Sequence, residues 1–348
     1  MDNNVRNKYL LPFTIGMAAV IAVGYYYFVS DFSKEDSTRY IYVDEDDNLD
    51  SVEAKLRPIA SDHGLWGFNT MARHSRLSEK VPTGRYAVEP SDGAATVFRH
   101  IKNGMQAPIK LSVPSVRTTG RMAAELAKQV MADSAQIAKA MSSPETIGKL
   151  GFDTATIAAM FIPDTYEVYW NINPEALLGR MKDEYDRFWS GERTGKARKL
   201  GLTKVQVSTL ASIVDEETAN GAEKPMVAGM YYNRLMLRNA EYPGGMPLQA
   251  DPTVKFAIGD FSIRRIYHGM LSIDSPYNTY RNTGLPPGPI RIPSVQGIDA
   301  VLSMVRHDYL YMCAKEDFSG THNFARTYAE HLQNAAKYSA ALNKRGVK

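Results

Sequence analysis

Phe13-Thr14-Ile15-Gly16-Met17-Ala18-Ala19-Val20-Ile21-Ala22-Val23 is the middle of an uncharged run from Tyr9 to Ser30. At about 1.5 Å per residue, a helix of that length crosses a hydrocarbon layer of roughly 30 Å. Tyr25, Tyr26 and Tyr27 stand at its far end, where aromatic rings meet lipid headgroups. Arg6 and Lys8 precede the run, and Asp31, Glu35, Asp36 and the acidic stretch Asp44 to Asp50 follow it. That asymmetry predicts a cytoplasmic N-terminus with the rest of the chain across the membrane. The competing reading is a cleaved signal peptide. Its apolar part is usually about 7–15 residues, with small residues at the cleavage site. The longer run and the bulky tyrosines favour an uncleaved anchor.

Beyond the anchor the composition is globular. The 348 residues are 44% hydrophobic and 23% charged, enough for about two domains. A net charge of +3 gives no whole-chain reason to expect nucleic acid. The one cysteine, Cys313, cannot form an internal disulfide, and no Cys/His spacing suggests a metal. No cofactor is expected.

The organisation follows from periodicity. Residues 1–8 are read as a cytoplasmic tail, 9–30 as the transmembrane anchor and 31–48 as a polar, acidic linker. Residues 49–113 mix short helices and strands. Leu49, Val52 and Leu56 recur at helical spacing, Leu65 to Ala72 is a second short helix, Arg85 to Val88 a strand, and Ala94 to Asn103 a helix with Val97 and Ile101 inward. Ile109 to Val113 is expected to close this small α+β module as a strand. Residues 114–348 form the larger domain. Helical patterns cover Thr119 to Ala132, Ser134 to Met141 and Pro174 to Trp189. Ser190 to Arg198 reads as a basic loop. Thr203, a good N-cap, opens a helix to Ala219. From Pro243 the chain is rich in Pro and Gly, as suits a site shaped by loops on a helical scaffold. Tyr328 to Lys344 is a final helix. The fold class is α+β on a single transmembrane helix, and a chain beginning near Asp36 is expected to fold without the anchor.

The segment Leu210-Ala211-Ser212-Ile213-Val214-Asp215-Glu216-Glu217-Thr218-Ala219 carries the candidate chemistry. Val207, Leu210, Ile213 and Val214 make one apolar stripe, and Glu217 continues it. Asp215 and Glu216 fall off the stripe, toward solvent. A carboxyl in apolar surroundings has its charged form disfavoured, so its pKa rises and it keeps a proton to donate. A core glutamate paired with an arginine such as Arg234 fits the same periodicity, and periodicity alone favours it. Glycosidic cleavage ordinarily needs two carboxylates. Asp251 and Asp274 are candidates for the second, although Asp274 fits better as a turn or cap before proline. Tyr277-Asn278-Thr279-Tyr280 offers aromatic faces and amides suited to sugars, but would also serve as a surface loop. His322 and His331 are more often structural. No Ser-His-Asp set, phosphate loop or metal motif is present.

Seven stretches, taken in order, resemble the MltG/YceG-like endolytic murein transglycosylases. They are Phe161 to Tyr166, Leu210 to Ala219, Tyr232-Asn233-Arg234-Leu235, Leu248 to Val254, Tyr277 to Tyr280, Gly284 to Ile290 and His322-Asn323-Phe324. They cover most of residues 150–335. The resemblance implies that the module at 49–113 is a LysM-like subdomain and 114–348 a YceG-like catalytic domain. The family's catalytic glutamate is the second in a Glu-Lys-Glu-Thr stretch, which falls on Glu217. This chain has Asp215 and Glu216 where the family has Glu and Lys, and the added charge at Glu216 is expected to raise the pKa of Glu217 further.

The implied activity is lytic cleavage of the β-1,4 bond between MurNAc and GlcNAc inside nascent peptidoglycan strands. It leaves a 1,6-anhydro-MurNAc end and terminates strand elongation. Gln249, Asp251, Tyr277, Asn278 and Tyr280 are the candidate sugar contacts or supports of the acid. The implied partners are glycan strands, peptidoglycan synthases and the cytoplasmic membrane, with the catalytic domain on the periplasmic side. The alternatives are a membrane-anchored muramidase that uses water, and a glycan-binding protein without activity.

Overall fold

With no charged side chain from Tyr9 to Ser30, the first helix is apolar on every side beyond its first two turns. In the computed structural model, which describes residues 3–263 and 265–345, α1 runs Asn3–Phe28. Its segment Leu10–Phe28 is long and apolar enough to cross a membrane and none of it is buried in the protein. The polypeptide then divides into two compact units.

The first unit comprises residues 1–111, 129–132 and 166–172. Its frame is β1 (Arg39–Val43), α2 (Leu49–Leu56), α3 (Asp62–Arg73), β2 (Gly84–Val88) and α4 (Ala94–Lys102). β1 and β2 pair antiparallel, from Arg39 opposite Val88 to Val43 opposite Gly84. Alternation turns Ile41, Val43, Tyr86 and Val88 into one core with Val52, Leu56, Phe68, Val97 and Ile101. Asn48 caps α2 in a reciprocal box with Ser51.

Part of the expected linker is therefore structural. Residues 39–43 are a strand because Ile41 and Val43 alternate with exposed Tyr40 and Tyr42, a pattern masked by the flanking charges. Phe32 is fully buried in the same core. Its amide donates to the Asp92 carbonyl and its carbonyl accepts from Ser61 N. A chain starting at Asp36 would lose this residue. β3 (Ile109–Val113) is a strand at the expected bounds, and its partner is β4 (Asp164–Val168).

The second unit comprises residues 112–128, 133–165 and 173–348. Its helices are α5 (Thr119–Ala127), α6 (Ser134–Ser142), α7 (Pro144–Lys149), α8 (Pro174–Phe188), α9 (Glu192–Lys199), α10 (Lys204–Glu217), α11 (Lys224–Met236), α12 (Asp251–Ile258), α13 (Val295–Leu302) and α14 (Tyr328–Lys344). A hairpin of β5 (Tyr311–Ala314) and β6 (His322–Ala325) precedes α14. α5 ends five residues earlier than the hydrophobic pattern suggested, and Met131 N instead bonds the Trp170 carbonyl. The stretch read as a basic loop is α9. Gly191, at φ 63°, makes the sharp entry that a glycine accepts, and Glu192 pairs with Lys196 one turn on.

α10 is the axis of this unit. Thr203 caps it in a reciprocal box with Gln206, and it ends at Glu217. Every residue from Val207 to Val214 is buried, because α9, α11, α12 and α13 all pack on it. It is thus buried all round rather than on one stripe. Two of its buried polar side chains are satisfied: Thr209 donates to the Val205 carbonyl, and Ser212 donates to Thr209 O while accepting from Ile290 N.

Candidate active site

The last turn of α10 presents three acids in three directions, and the structure gives each a different environment. Asp215 and Glu216 leave the apolar stripe as expected, but neither reaches solvent. The Asp215 side chain is 3% exposed and ion-paired with Lys224 Nζ at 2.6 Å. Its carboxylate also accepts from Ser294 N at 2.6 Å and Ser294 Oγ at 2.9 Å, at the start of α13. Glu216 accepts from both Arg117 and Arg291, each at 2.9 Å. These are structural clamps.

Among the described residues Glu217 has no such cation. Its Oε1 accepts from the hydroxyl of Tyr231, on α11, at 2.6 Å. Among the described residues no ion pair joins it to Arg234, the partner that periodicity favoured. Arg234 instead donates to the carbonyls of Leu310 and Leu248 and approaches Gln249 Oε1. It is a strut beneath the site. Burial pushes the Glu217 carboxyl above the usual carboxylate range. The Tyr231 hydrogen bond opposes that shift, the charge of Asp251 adds to it, and His322 and Arg234 pull it down. The neighbouring negative charge that matters is thus that of Asp251 rather than Glu216, whose carboxylate is taken up by two arginines. Glu217 as a whole residue keeps partial exposure, while its carboxyl lies buried beside Tyr231.

The loop carrying Gln249 and Asp251 is built against the one carrying Tyr277 to Tyr280. Gln249 adopts φ 51°, which a residue with a Cβ seldom takes. Its amide donates to the Thr279 carbonyl, Ala250 N donates to Thr279 Oγ1, and Thr279 Oγ1 meets Thr253 Oγ1 at 2.8 Å. Those bonds over-determine the strained residue, as at many functional sites. Asp251 opens α12 and accepts from Tyr280 Oη at 2.6 Å. Burial and that carboxylate push the Tyr280 hydroxyl up, so it stays a donor.

The other two expected contacts lie differently. Asn278 is fully buried, and its amide nitrogen donates to the carbonyls of Leu271 and Ile273 while its oxygen accepts from Tyr280 N. It braces the loop and has no surface to offer a ligand. Tyr277 packs its ring on Phe256 of α12, with centroids 4.7 Å apart. Asp274 is wholly exposed, 3.6 Å from Arg281.

Sequence reasoning missed Tyr231, Thr253 and the Glu223–His322 pair. Glu223 accepts from His322 N at 2.6 Å and contacts His322 Nδ1 at 3.0 Å. This holds the histidine of β6 close enough to bias Glu217. Tyr231 could have been found, since it directly precedes the Tyr232-Asn233-Arg234-Leu235 block. No group of three or more potential metal ligands occurs among the described residues.

Residues 41–337 match the family described as the YceG-like family, a span that contains every residue of this site. The chain belongs to the YceG-like family. A relative from Bacillus subtilis named "Endolytic murein transglycosylase" is 41% identical over 150 residues, 43% of this chain and 38% of that protein. One of the same name from Streptococcus pneumoniae is 25% identical across 95% of this chain and 65% of its own length. The chain thus spans less than two thirds of either relative. A crystal structure of a YceG-like protein from Listeria monocytogenes shares the fold. Its TM-score is 0.53 at 23% identity, covering 86% of this chain and 99% of that one.

Proposed function

We propose that this YceG-like protein is a membrane-anchored lytic transglycosylase that cuts peptidoglycan strands internally, with Glu217 as its only acid/base. The observation that carries this reading is the Glu217 carboxyl, raised by burial and held by a neutral hydroxyl rather than a cation. Burial favours the protonated form of such a carboxyl, the form a general acid needs. The names of the relatives supply the substrate class.

Glu217 gives its proton to the glycosidic oxygen, which leaves as the GlcNAc 4-hydroxyl while the bond to C1 of MurNAc breaks. The sugar's N-acetyl oxygen stabilises the positive charge at C1. The Glu217 carboxylate then takes the proton of the MurNAc 6-hydroxyl as that oxygen bonds C1. The acid is regenerated, no water is consumed, and a 1,6-anhydro end results. Tyr231 donates to the carboxylate between the two transfers, when it is charged. Gln249, Asp251 and Tyr280 line the approach, Tyr277 offers a ring to the saccharide, and Asn278 shapes the loop beneath them.

The β–α–α–β order of the first unit, with its strands antiparallel, supports reading that module as LysM-like. The apolar span Leu10–Phe28, with Arg6 and Lys8 before it, supports a single-pass anchor with the chain after it outside the cytoplasm. Internal cuts beside the membrane would end strand elongation and place the enzyme near peptidoglycan synthases.

Mass spectrometry of products from purified glycan strands tests the chemistry. Anhydro-MurNAc ends are expected. Reducing MurNAc ends, heavier by one water, would make the protein a muramidase with Asp251 as the second carboxylate. Binding with no product would leave only a glycan-binding role.

A further inference from the structure

α1 does not lead into a free tether. Val29 and Ser30 both donate to the Tyr25 carbonyl, and Asp31 bridges to Gly93. The next residue is the buried Phe32. Where the helix ends, α3 lies against it. Tyr26 stacks on His63 at 4.2 Å between ring centroids, Ser30 Oγ meets His63 Nε2 at 3.0 Å, and Tyr27 packs on Trp66 at 4.6 Å. Gly67 and Gly93 permit the approach. A Cβ on Gly67 would overlap the Tyr27 carbonyl oxygen, and one on Gly93 would overlap that of Val29.

This seat fixes the height of α3. The 19 residues of Leu10–Phe28 at about 1.5 Å each fill a hydrocarbon layer of roughly 30 Å. Side chains packed on Tyr26, Tyr27 and Phe28 therefore lie at the layer's outer edge. Trp66 nevertheless leaves 54% of its surface open, and Tyr25 and Tyr26 in the last turn of α1 are 60% and 51% open. Tryptophan and tyrosine favour the headgroup layer, where an apolar ring body and a polar N–H or O–H are both accommodated.

We propose that α3 is a second membrane contact: Trp66, with Tyr25 and Tyr26, sits in the lipid headgroup layer, so the first module is seated on the bilayer rather than tethered above it. The occupant of this surface is the bilayer, because the surface is continuous with the spanning helix. The inference rests on α1 crossing the membrane.

Full-length protein in phosphatidylcholine vesicles, with acyl chains brominated close to the headgroup, tests it through tryptophan emission. The other two tryptophans are Trp170, edge-on to Tyr42, and the buried Trp189. The shallow bromines should quench wild type, the quench should be lost in W66F, and it should persist in W170F. Bromines near the chain ends should quench far less. G67V should weaken the shallow quench without freeing the protein from the vesicle. W66F quenched as strongly as wild type, or wild type left unquenched while resisting alkaline carbonate extraction, would overturn the seat alone. Release by carbonate would instead remove the anchor and the seat together.

Discussion

Asp215, Glu216 and Glu217 share one helix turn and are set apart by what reaches them. Glu217→Gln keeps the shape and removes the proton, so cleavage should fall by at least about 10²-fold. Burial raises the folded pKa of Glu217 above its unfolded value. The carboxyl therefore stabilises the fold below the unfolded pKa, and that contribution is lost as pH rises through the folded pKa. Melting curves across pH should show wild type losing stability on the alkaline side of that window while the Gln variant does not. A Gln variant that is unstable at every pH would instead mark a structural ion pair. Asp215→Asn should behave in the opposite way. It leaves Lys224 buried without its partner, a change that costs about 3–5 kcal/mol when a buried pair is broken. Its melting temperature should fall, while turnover per folded molecule holds. Tyr231→Phe removes a hydrogen bond that lowers the Glu217 pKa. The alkaline limb of its pH–rate profile should shift to higher pH, and an unmoved limb would mean that Tyr231 only packs. That Glu217 turns inward was legible in the sequence, by its register on α10. The roles of its neighbours were not, since Lys224, Arg117, Ser294 and Arg291 reach Asp215 and Glu216 from other elements.

At the scale of elements, what could be read depended on whether the deciding contact was local. Caps and turns within a few residues placed α2, α4, α8, α10 and α14 close to their actual bounds. β1 was hidden by the acidic residues around it, and its strand character depends on β2, more than forty residues on. α10 was read as amphipathic, which put Glu217 on the inner side. The helix is in truth surrounded, and Glu217 lies at its C-terminal end with its carboxyl buried beside Tyr231. The same non-local logic resets where the anchor can be removed. A chain beginning at Asp36 lacks Phe32, which is fully buried in the first module's core. Emptying a phenylalanine site typically costs about 3–5 kcal/mol. A chain beginning at Asp31 retains the ring and both backbone bonds to it. Thermal unfolding should place the Asp36 form well below the Asp31 form. Equal melting temperatures would mean that Phe32 does not belong to the core.

For the whole molecule, the proposed chemistry and the proposed anchor lie on different parts of the chain. Each of Glu217, Tyr231, Arg234, Gln249, Asp251, Tyr280 and His322 belongs to the second unit, and none to α1 or the module that follows it. The carboxyl's raised pKa has its causes within that unit as well. Removing residues 1–30 should therefore leave the proton transfers intact, and the form beginning at Asp31 should cut purified strands as fast as the full-length protein in detergent. What it should lose is confinement. Strands still attached to a membrane are presented at a surface, and a protein held in that surface meets them at a far higher effective concentration than one free in solution. Side-by-side turnover on free strands and on vesicle-attached strands separates the two effects. The full-length protein should favour the attached strands and the Asp31 form should not discriminate. If the Asp31 form is folded yet inert on free strands, α1 takes part in building the site, and assigning the chemistry to the second unit alone is wrong.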